Sequence, residues 1–539
     1  MKMKKMRGVG LLLFFALSLR TPGAMPPVAG EKADRAGIER VLRTIEAAVA
    51  THDAEAVLAA FDPKEAALIA RTRGMVQGLL ALEDARLTFR LGQVTGDRNA
   101  AKAIVFRSAT YKESGRPQVD ERWETIGLRR TASGWRIVSE EDRLYARCVS
   151  TGLWVELMPD EGTMQGTSTL RIEVTTGGED SLLLKLNRGL TATSITDGQG
   201  RPVRFDREAD AIVLPQPGLL RAGETRQLTI AFEGKLFNES KEQGYSQVSI
   251  APVGSFASWV TNWYPRLEGT GSKSKGKITY VVPEGITVAS SGQLNGVERE
   301  NGHQRYIYTV DRPIDYSFAA AKYFHREATI DGIHLGIYLL RGGDAKADLY
   351  MRECARVLRY ERELYGAYPF DGYSVVEIPS EETGALGGSS EQGMNLFPTG
   401  VLPNDTFPLL LVAHEMAHSW WGNLIAPGDG AVTDEGLAQI TAAMCLREFE
   451  GERVARRFMK SGVPGYSQSA GQYFVRFATP PGKDYPLGVA NAGSDASAAL
   501  HDLADTKGMF VYDMLREKIG HDAFVRGLRA VIQSSTGKE

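Results

Sequence analysis

At 539 residues the chain has room for roughly three domains of about 100 to 200 residues each, and its 43% hydrophobic content suits well-packed cores. With 63 basic against 66 acidic side chains, the formal charge of -3 excludes any general attraction to nucleic acid or anionic lipid, so no nucleic-acid partner is expected. Three cysteines, Cys148, Cys354 and Cys445, exclude a disulfide scaffold and a Cys-x-x-Cys metal site, and all three are expected to be buried apolar residues.

The first residues combine Lys2, Lys4, Lys5 and Arg7 with an apolar run from Leu11 to Leu19 and a small residue at Ala24. That pattern is a secretory signal peptide over residues 1–24. The run stops at Arg20, well short of the ~20 apolar residues that span a bilayer, and no later run is long enough. A secreted or periplasmic location follows, or retention at the membrane if the leader stays uncleaved, with no transmembrane span in the mature chain.

After a Pro/Gly linker, Ile38, Val41, Leu42, Ile45 and Val49 recur at helical spacing, and a break at Thr51 to Asp53 predicts a second helix. Strand-like runs follow in ARLTFRLGQV, KAIVFRSATY, ERWETIGLRR and WRIVSEEDR. This layout over residues 31–146 resembles the cone-shaped α+β fold of the nuclear transport factor and ketosteroid isomerase type, which does not itself indicate a function.

Residues 147–325 read as an all-β sandwich or saddle of short strands with Gly, Pro, Asn and Asp turns. GSKSKGKI there imitates a phosphate-binding loop but ends in Ile278, and reads as a solvated hairpin loop. Asn238-Glu239-Ser240 has N-glycosylation spacing.

From 326 to 539 helical periods return. Leu349, Cys354, Val357, Leu358 and Leu364 share a face that ends at Gly366, and a strand YSVVEI and a Gly/Ser loop lead to LLLVAHEMAHSWWGN. Residues four apart on a helix lie above one another, so His414 and His418 can offer nitrogens to one ion. Glu415 points about 100° around the helix, where it can reach metal-bound water without being a ligand. The helix is expected to stop near Gly422-Asn423, and a second helix starting in TDEGLAQITAAMCL carries Glu435 as the third ligand.

Two imidazoles and one carboxylate leave a tetrahedral position open, the arrangement of a catalytic zinc site. One zinc per chain, with Glu415 as general base, predicts metal-assisted hydrolysis of a peptide bond. The alternative is a zinc-containing peptide-binding or assembly protein with little or no catalysis.

HEMAHSWWGN, DEGLA and the upstream YGAYPF are similar to the zinc and ligand helices of the gluzincin aminopeptidase family, which includes alanyl aminopeptidases and leukotriene hydrolases. The resemblance runs from about Arg147 to Glu539 and implies a multidomain α+β protein whose last domain is a thermolysin-like α/β zinc peptidase that removes N-terminal residues from peptide substrates; family catalytic domains usually continue with more helices, so either an abbreviated domain or an incomplete chain is expected at Glu539. It also implies that GGSSEQGMN binds substrate, with Gly388, Glu391 and Gln392 in the family's Gly-x-Met-Glu-Asn positions and Glu391 facing the substrate ammonium. Two departures stand out. Sixteen residues separate His418 from Glu435, two fewer than is usual in the family. ADTKGM places Asp505 where the family has a tyrosine two positions before Lys-Gly, and an ionised aspartate cannot donate to an oxyanion. Tyr485 and Tyr512 are the candidates to stand in for it.

Overall fold

The computed structural model describes residues 33–535 apart from 81, 114–115, 217, 239, 241–243, 426–432, 464–469, 480–486 and 488–502. The leader, Glu239 of the glycosylation motif, the loop through Pro427 and Gly430, and Tyr485 lie outside the described residues. The described chain is a mixed α+β structure with several sheets and a helical C-terminal region. Among the described residues, no helix is long and apolar enough to cross a membrane.

At the N-terminal end, α1 (Arg35–Ala50) begins where Asp34 accepts a hydrogen bond from Gly37 N at 2.9 Å, a side-chain N-cap. Its buried face carries Ile38, Val41, Leu42, Ile45 and Val49, as the spacing predicts. Helix α2 (Ala54–Leu58) follows the expected break, and α3 (Ala66–Leu80) adds a helix that the sequence reading leaves out. The antiparallel strands β1 (Glu83–Gly96), β2 (Ala100–Glu113), β3 (Arg116–Thr131) and β4 (Gly134–Asp142) pair in chain order. One sheet face holds Ala103, Val105, Ile126 and Ile137 against the helices. The other brings Ile104 and Trp123 into the core of the next region, where Arg143 also meets the buried Glu179.

Seven strands make the next sheet: β5 (Ala146–Met158), β6 (Thr163–Val174), β7 (Leu190–Asp197), β8 (Thr225–Gly234), β9 (Ser274–Pro283), β10 (Gln293–Glu300) and β11 (His303–Ile314). Their order across the sheet is β10-β11-β9-β5-β6-β8-β7, with only β9 and β5 parallel. In β6 every second residue is buried, the period of a strand with one covered face. GSKSKGKI is therefore not a hairpin loop. Most of it opens β9, where Ser274 and Ile278 are buried while Lys275 and Lys277 alternate into solvent.

The third sheet has the order β12-β13-β14-β16-β15, from β12 (Phe324–Ile330), β13 (Ile333–Leu339), β14 (Gly372–Ile378), β15 (Ser389–Glu391) and β16 (Met394–Pro398). Strands β13, β14 and β16 run parallel, and β15 lies antiparallel at one edge. One face packs Met394 and Leu396 against Phe256, Ala289 and Ala319 of the preceding β region. The opposite face packs Phe397 and Val375 against α4 (Asp344–Tyr365), α5 (Leu409–Ala417) and α6 (Glu435–Glu450), which hold the candidate site. The three cysteines are free and buried.

The buried face of α4 contains Glu361, which is 0% exposed. Its Oε1 has only Cys445 Sγ at 4.0 Å, and its Oε2 has no hydrogen-bond partner among the described groups. Burial pushes this carboxyl well above the usual glutamate range, and the charge of His418 only partly opposes that. The folded state thus keeps a proton that the unfolded chain releases as pH rises past the ordinary glutamate range, so this group's contribution to stability falls with rising pH. Glu361→Leu is expected to stabilise the protein by about 1 to 3 kcal/mol at neutral pH, because an unsatisfied polar group leaves the core. Urea titrations should show a larger gain at pH 8 than at pH 5.

Candidate metal centre

Helix α5 is the apolar segment LLLVAHEMA. It ends at Ala417 with His418 as its C-cap, earlier than the Gly422-Asn423 stop expected from sequence, because His418 to Trp420 form turns. Its burial is nearly complete, and Trp420 and Trp421 behind it are 0% and 1% exposed. Packing on Tyr365 and Tyr368 anchors the helix from behind. Helix α6 begins at Glu435, and Ala413, Met416, Leu437 and Ala438 share one apolar core, so the two histidines meet the first turn of α6.

His414 Nε2 and His418 Nε2 are 3.1 Å apart, and Glu435 Oε2 lies 3.2 Å from the first and 3.5 Å from the second. All three residues can direct a ligand atom into one space, with those atoms within 4.8 Å of each other. The other ring nitrogens already face acceptors. His414 Nδ1 lies 2.7 Å from Gln439 Oε1, and His418 Nδ1 lies 3.0 Å from Trp421 O and 2.7 Å from Asp434 Oδ1. A proton on each Nδ1 satisfies those oxygens and leaves the Nε2 lone pairs directed at the shared space. Nitrogen, nitrogen and oxygen donors with oriented rings fit a zinc ion. Burial works against a charge on His418, but Asp434 and Glu435 outweigh it and hold its pKa well above the ordinary histidine value. A bound cation must displace that proton, so its binding weakens as pH falls.

Gln439 is a residue that the sequence reading missed. It sits four residues after Glu435, on the same side of α6, and that i, i+4 relation inside DEGLAQ is the signal that could have revealed it. Replacing Gln439 with Leu removes the acceptor that orients His414. A 10- to 100-fold loss of zinc affinity, about the usual cost of losing such a partner, is expected in chelator competition.

Glu415 is 9% exposed and lies next to Gly388. A Cβ at position 388 would fall 2.7 Å from Glu415 Oε1, so a side chain there would push this carboxylate aside, whereas glycine lets the chain before β15 meet it without that shift. Ser390, two residues on and on the same strand face, accepts from Asn423 Nδ2 at 3.1 Å and donates to Asn395 Oδ1 at 3.3 Å. Glu391 and Gln392 do not join this cluster. Strand alternation turns Glu391 to the other sheet face, where it is 0% exposed and accepts from Ser258 (3.0 Å), Ser317 (2.6 Å) and Ser389 (2.7 Å). Burial raises its pKa against the pull of those hydroxyls. Gln392 Oε1 accepts from Asp315 N at 2.7 Å. The resemblance puts both side chains against substrate, whereas the structure engages both with the β region.

Asp505 is fully buried in the segment Ala504–Gly508, which packs on α6 where Gly436 meets Ala504 O and Gly508 Cα. Tyr512 reaches the same glycine, one residue from Glu435, and burial pushes its pKa up to about 12.

Residues 351–538 match the Peptidase family M1 domain. This part of the chain is an M1 peptidase domain. The resemblance to gluzincin aminopeptidases holds over this part of the chain, whose matched family is one of zinc metallopeptidases. An aminopeptidase N of Acetobacter pasteurianus is 22% identical over 322 residues, covering 54% of this chain and 88% of its own length. An aminopeptidase M1-A of Oryza sativa subsp. japonica is 24% identical over 289 residues, which is 50% of this chain but only 31% of the rice protein. In three dimensions an M1 zinc metallopeptidase from Deinococcus radiodurans aligns with a TM-score of 0.60 at 18% identity, over 73% of this chain and 88% of that one. A mutant form of the Deinococcus protein aligns with a TM-score of 0.59 at 18% identity, over the same shares of the two chains, and its structure holds a Tyr-Ser-Ala substrate. These structures share the fold of the M1 domain together with much of the region before it.

Proposed function

We propose that the protein is an exported zinc-dependent peptidase acting as an aminopeptidase, with one zinc per chain held by His414, His418 and Glu435. The observation that carries this reading is the convergence of those three ligand atoms beside Glu415. Zinc bound there supplies Lewis acidity to the attacked carbonyl and to water. Glu415 takes the proton of the attacking water and passes it to the leaving amine. Gln439, Asp434 and the Trp421 carbonyl keep the imidazoles in the ligating tautomer. Gly388 admits the substrate-side backbone to within contact of Glu415. The aminopeptidase relatives and the Tyr-Ser-Ala complex of the Deinococcus protein support peptide substrates. The leader pattern of residues 1–24 supports a secreted or periplasmic site of action.

Metal analysis and digestion of a peptide library with free and blocked N-termini test the proposal. About one zinc per chain, with residues released from free N-termini, is the expected result. Zinc-loaded protein that leaves the whole library intact would overturn it. A second reading, a zinc-containing peptide-binding or assembly protein, is favoured by Asp505 in place of the family tyrosine. Its signature is saturable binding of peptides that survive long incubation.

A further inference from the structure

Two edge strands leave part of a covered sheet face open. In the seven-stranded sheet, β10 pairs Leu294 with Tyr308 and Val297 with Tyr306, so these four side chains share one face. On β11 that face is closed, with Tyr306 and Tyr308 6% and 3% exposed, whereas on β10 Leu294 and Val297 are 38% and 43% exposed. The third sheet ends the same way. Tyr338 of β13 packs with Phe256, Ala289 and Ala319, while His325, its partner on β12, is exposed and lays its ring parallel to that of Tyr338 at 5.6 Å. The two uncovered corners border one groove of about 200 Å³, with Tyr306 and Tyr338 in its lining. The groove also carries one charge of each sign. Arg299 of β10 lines it and has no acidic partner among the described residues. On β12, Glu327 Oε1 accepts from the Tyr338 hydroxyl and lies 3.8 Å from His334 Nε2, which leaves Oε2 without a hydrogen bond among the described residues. His334 and the tyrosine hydroxyl, working against partial burial, hold this carboxyl down to about 2, so it stays charged at neutral pH.

The volume falls below the ~300 to 1,000 Å³ of pockets that hold drug-sized ligands, so the occupant is small. A fixed carboxylate, an unpaired guanidinium and apolar side chains in so small a space select a zwitterion with an apolar body. We infer that this groove binds a free α-amino acid with an aromatic or large aliphatic side chain, its ammonium on Glu327, its carboxylate on Arg299 and its side chain against Leu294 and Val297. The site is separate from the metal centre, because β12 and β15 form opposite edges of the third sheet, four strand spacings or ~19 Å apart. On the peptidase reading such an amino acid is a reaction product, met here away from the place of its release. The binding itself does not depend on that reading.

The test titrates L-phenylalanine into the full zinc-loaded chain, with calorimetry for affinity and amide exchange to locate the ligand. Phenethylamine and hydrocinnamate serve beside it, each with the same ring but only one of the two charges. Saturable binding of L-phenylalanine is expected, with slowed exchange in the segments 293–306 and 324–338. Each single-charge analogue should bind at least about 10-fold more weakly, the worth of one charge-assisted hydrogen bond. Arg299→Met and Glu327→Gln should weaken L-phenylalanine binding at the groove by a similar factor, and Val297→Trp, which fills the groove from an exposed position, should abolish it. Slowed exchange confined to 388–396 and 409–418 would put the amino acid at the metal centre alone and overturn the inference. Equal binding of phenethylamine or hydrocinnamate, affinity at the groove unmoved by Val297→Trp, or no saturable binding would also overturn it. If exchange in 293–306 slows with rising protein concentration and no ligand, a second copy is the occupant and the inference again fails. No arm measures turnover, so a protein that cleaves no peptide refutes the peptidase reading alone and leaves the groove to be decided by binding.

Discussion

Glu415→Gln is expected to lower peptide turnover by about 10²- to 10⁴-fold, the range that a positioned general base contributes. Zinc content should remain at the wild-type level, because Glu415 is not among the converging ligand residues. The substitution is nearly isosteric, so Gly388 keeps its approach and the buried helix α5 keeps its packing. A glutamine side chain donates and accepts hydrogen bonds, yet it cannot take a proton from water. The loss should therefore appear in kcat, with KM for the same peptide little changed, since an interaction made in the transition state has been removed. Stopped assays with a chromogenic or mass-resolved peptide, set beside metal analysis of the same preparation, read both quantities. Wild-type turnover in Glu415→Gln would remove the residue from the mechanism.

Lys346→Met carries the largest expected effect on stability. Lys346 and Glu377 are 2% and 0% exposed and form a buried ion pair between α4 and the end of β14. The pair is fully served: Lys346 Nζ also donates to Leu402 O at 2.9 Å, and Glu377 Oε2 accepts from Leu340 N at 2.6 Å and Arg341 N at 3.0 Å. Removing the ammonium leaves a desolvated carboxylate without its counter-charge, which costs about 3 to 5 kcal/mol. Urea unfolding should show that loss for Lys346→Met. Adding Glu377→Leu to it should cost less than the sum of the two single changes, because the stranded charge is gone. Strict additivity of the two would show that the charges do not sense one another.

These two residues and Glu361 also mark the limit of what periodicity reveals. On α4 the apolar spacing through Cys354, Val357, Leu358 and Leu364 identifies the helix and its covered face. Lys346 and Glu361 lie on that same face, and nothing in the local sequence separates a lysine with oxygen partners in reach from a glutamate with an unpartnered oxygen. The Lys346 partners lie 31 and 56 residues away, and the one weak contact of Glu361 lies 84 away. Pairing is decided by chain segments that meet only when the domain closes.

The metal centre was legible for the opposite reason. Its candidate ligands come from two helices, and in each the determining relation is local: His414 and His418 are one turn apart, and Glu435 opens the helix that also carries Gln439 one turn later. Helical geometry alone converts such spacing into a shared face. GGSSEQGMN contains the right residues in nearly the right order, but in a strand a shift of one position reverses the face. There the resemblance implies that Glu391 faces the substrate ammonium, and only the tertiary structure brings Ser258 and Ser317 to its carboxylate. By itself the sequence determined the two helices of the candidate metal centre and the shared face of His414 and His418, since these depend on neighbours within one turn. Only the tertiary structure decided which carboxylates meet solvent, metal or serine, because desolvation and hydrogen-bond partners are supplied by residues distant in the chain.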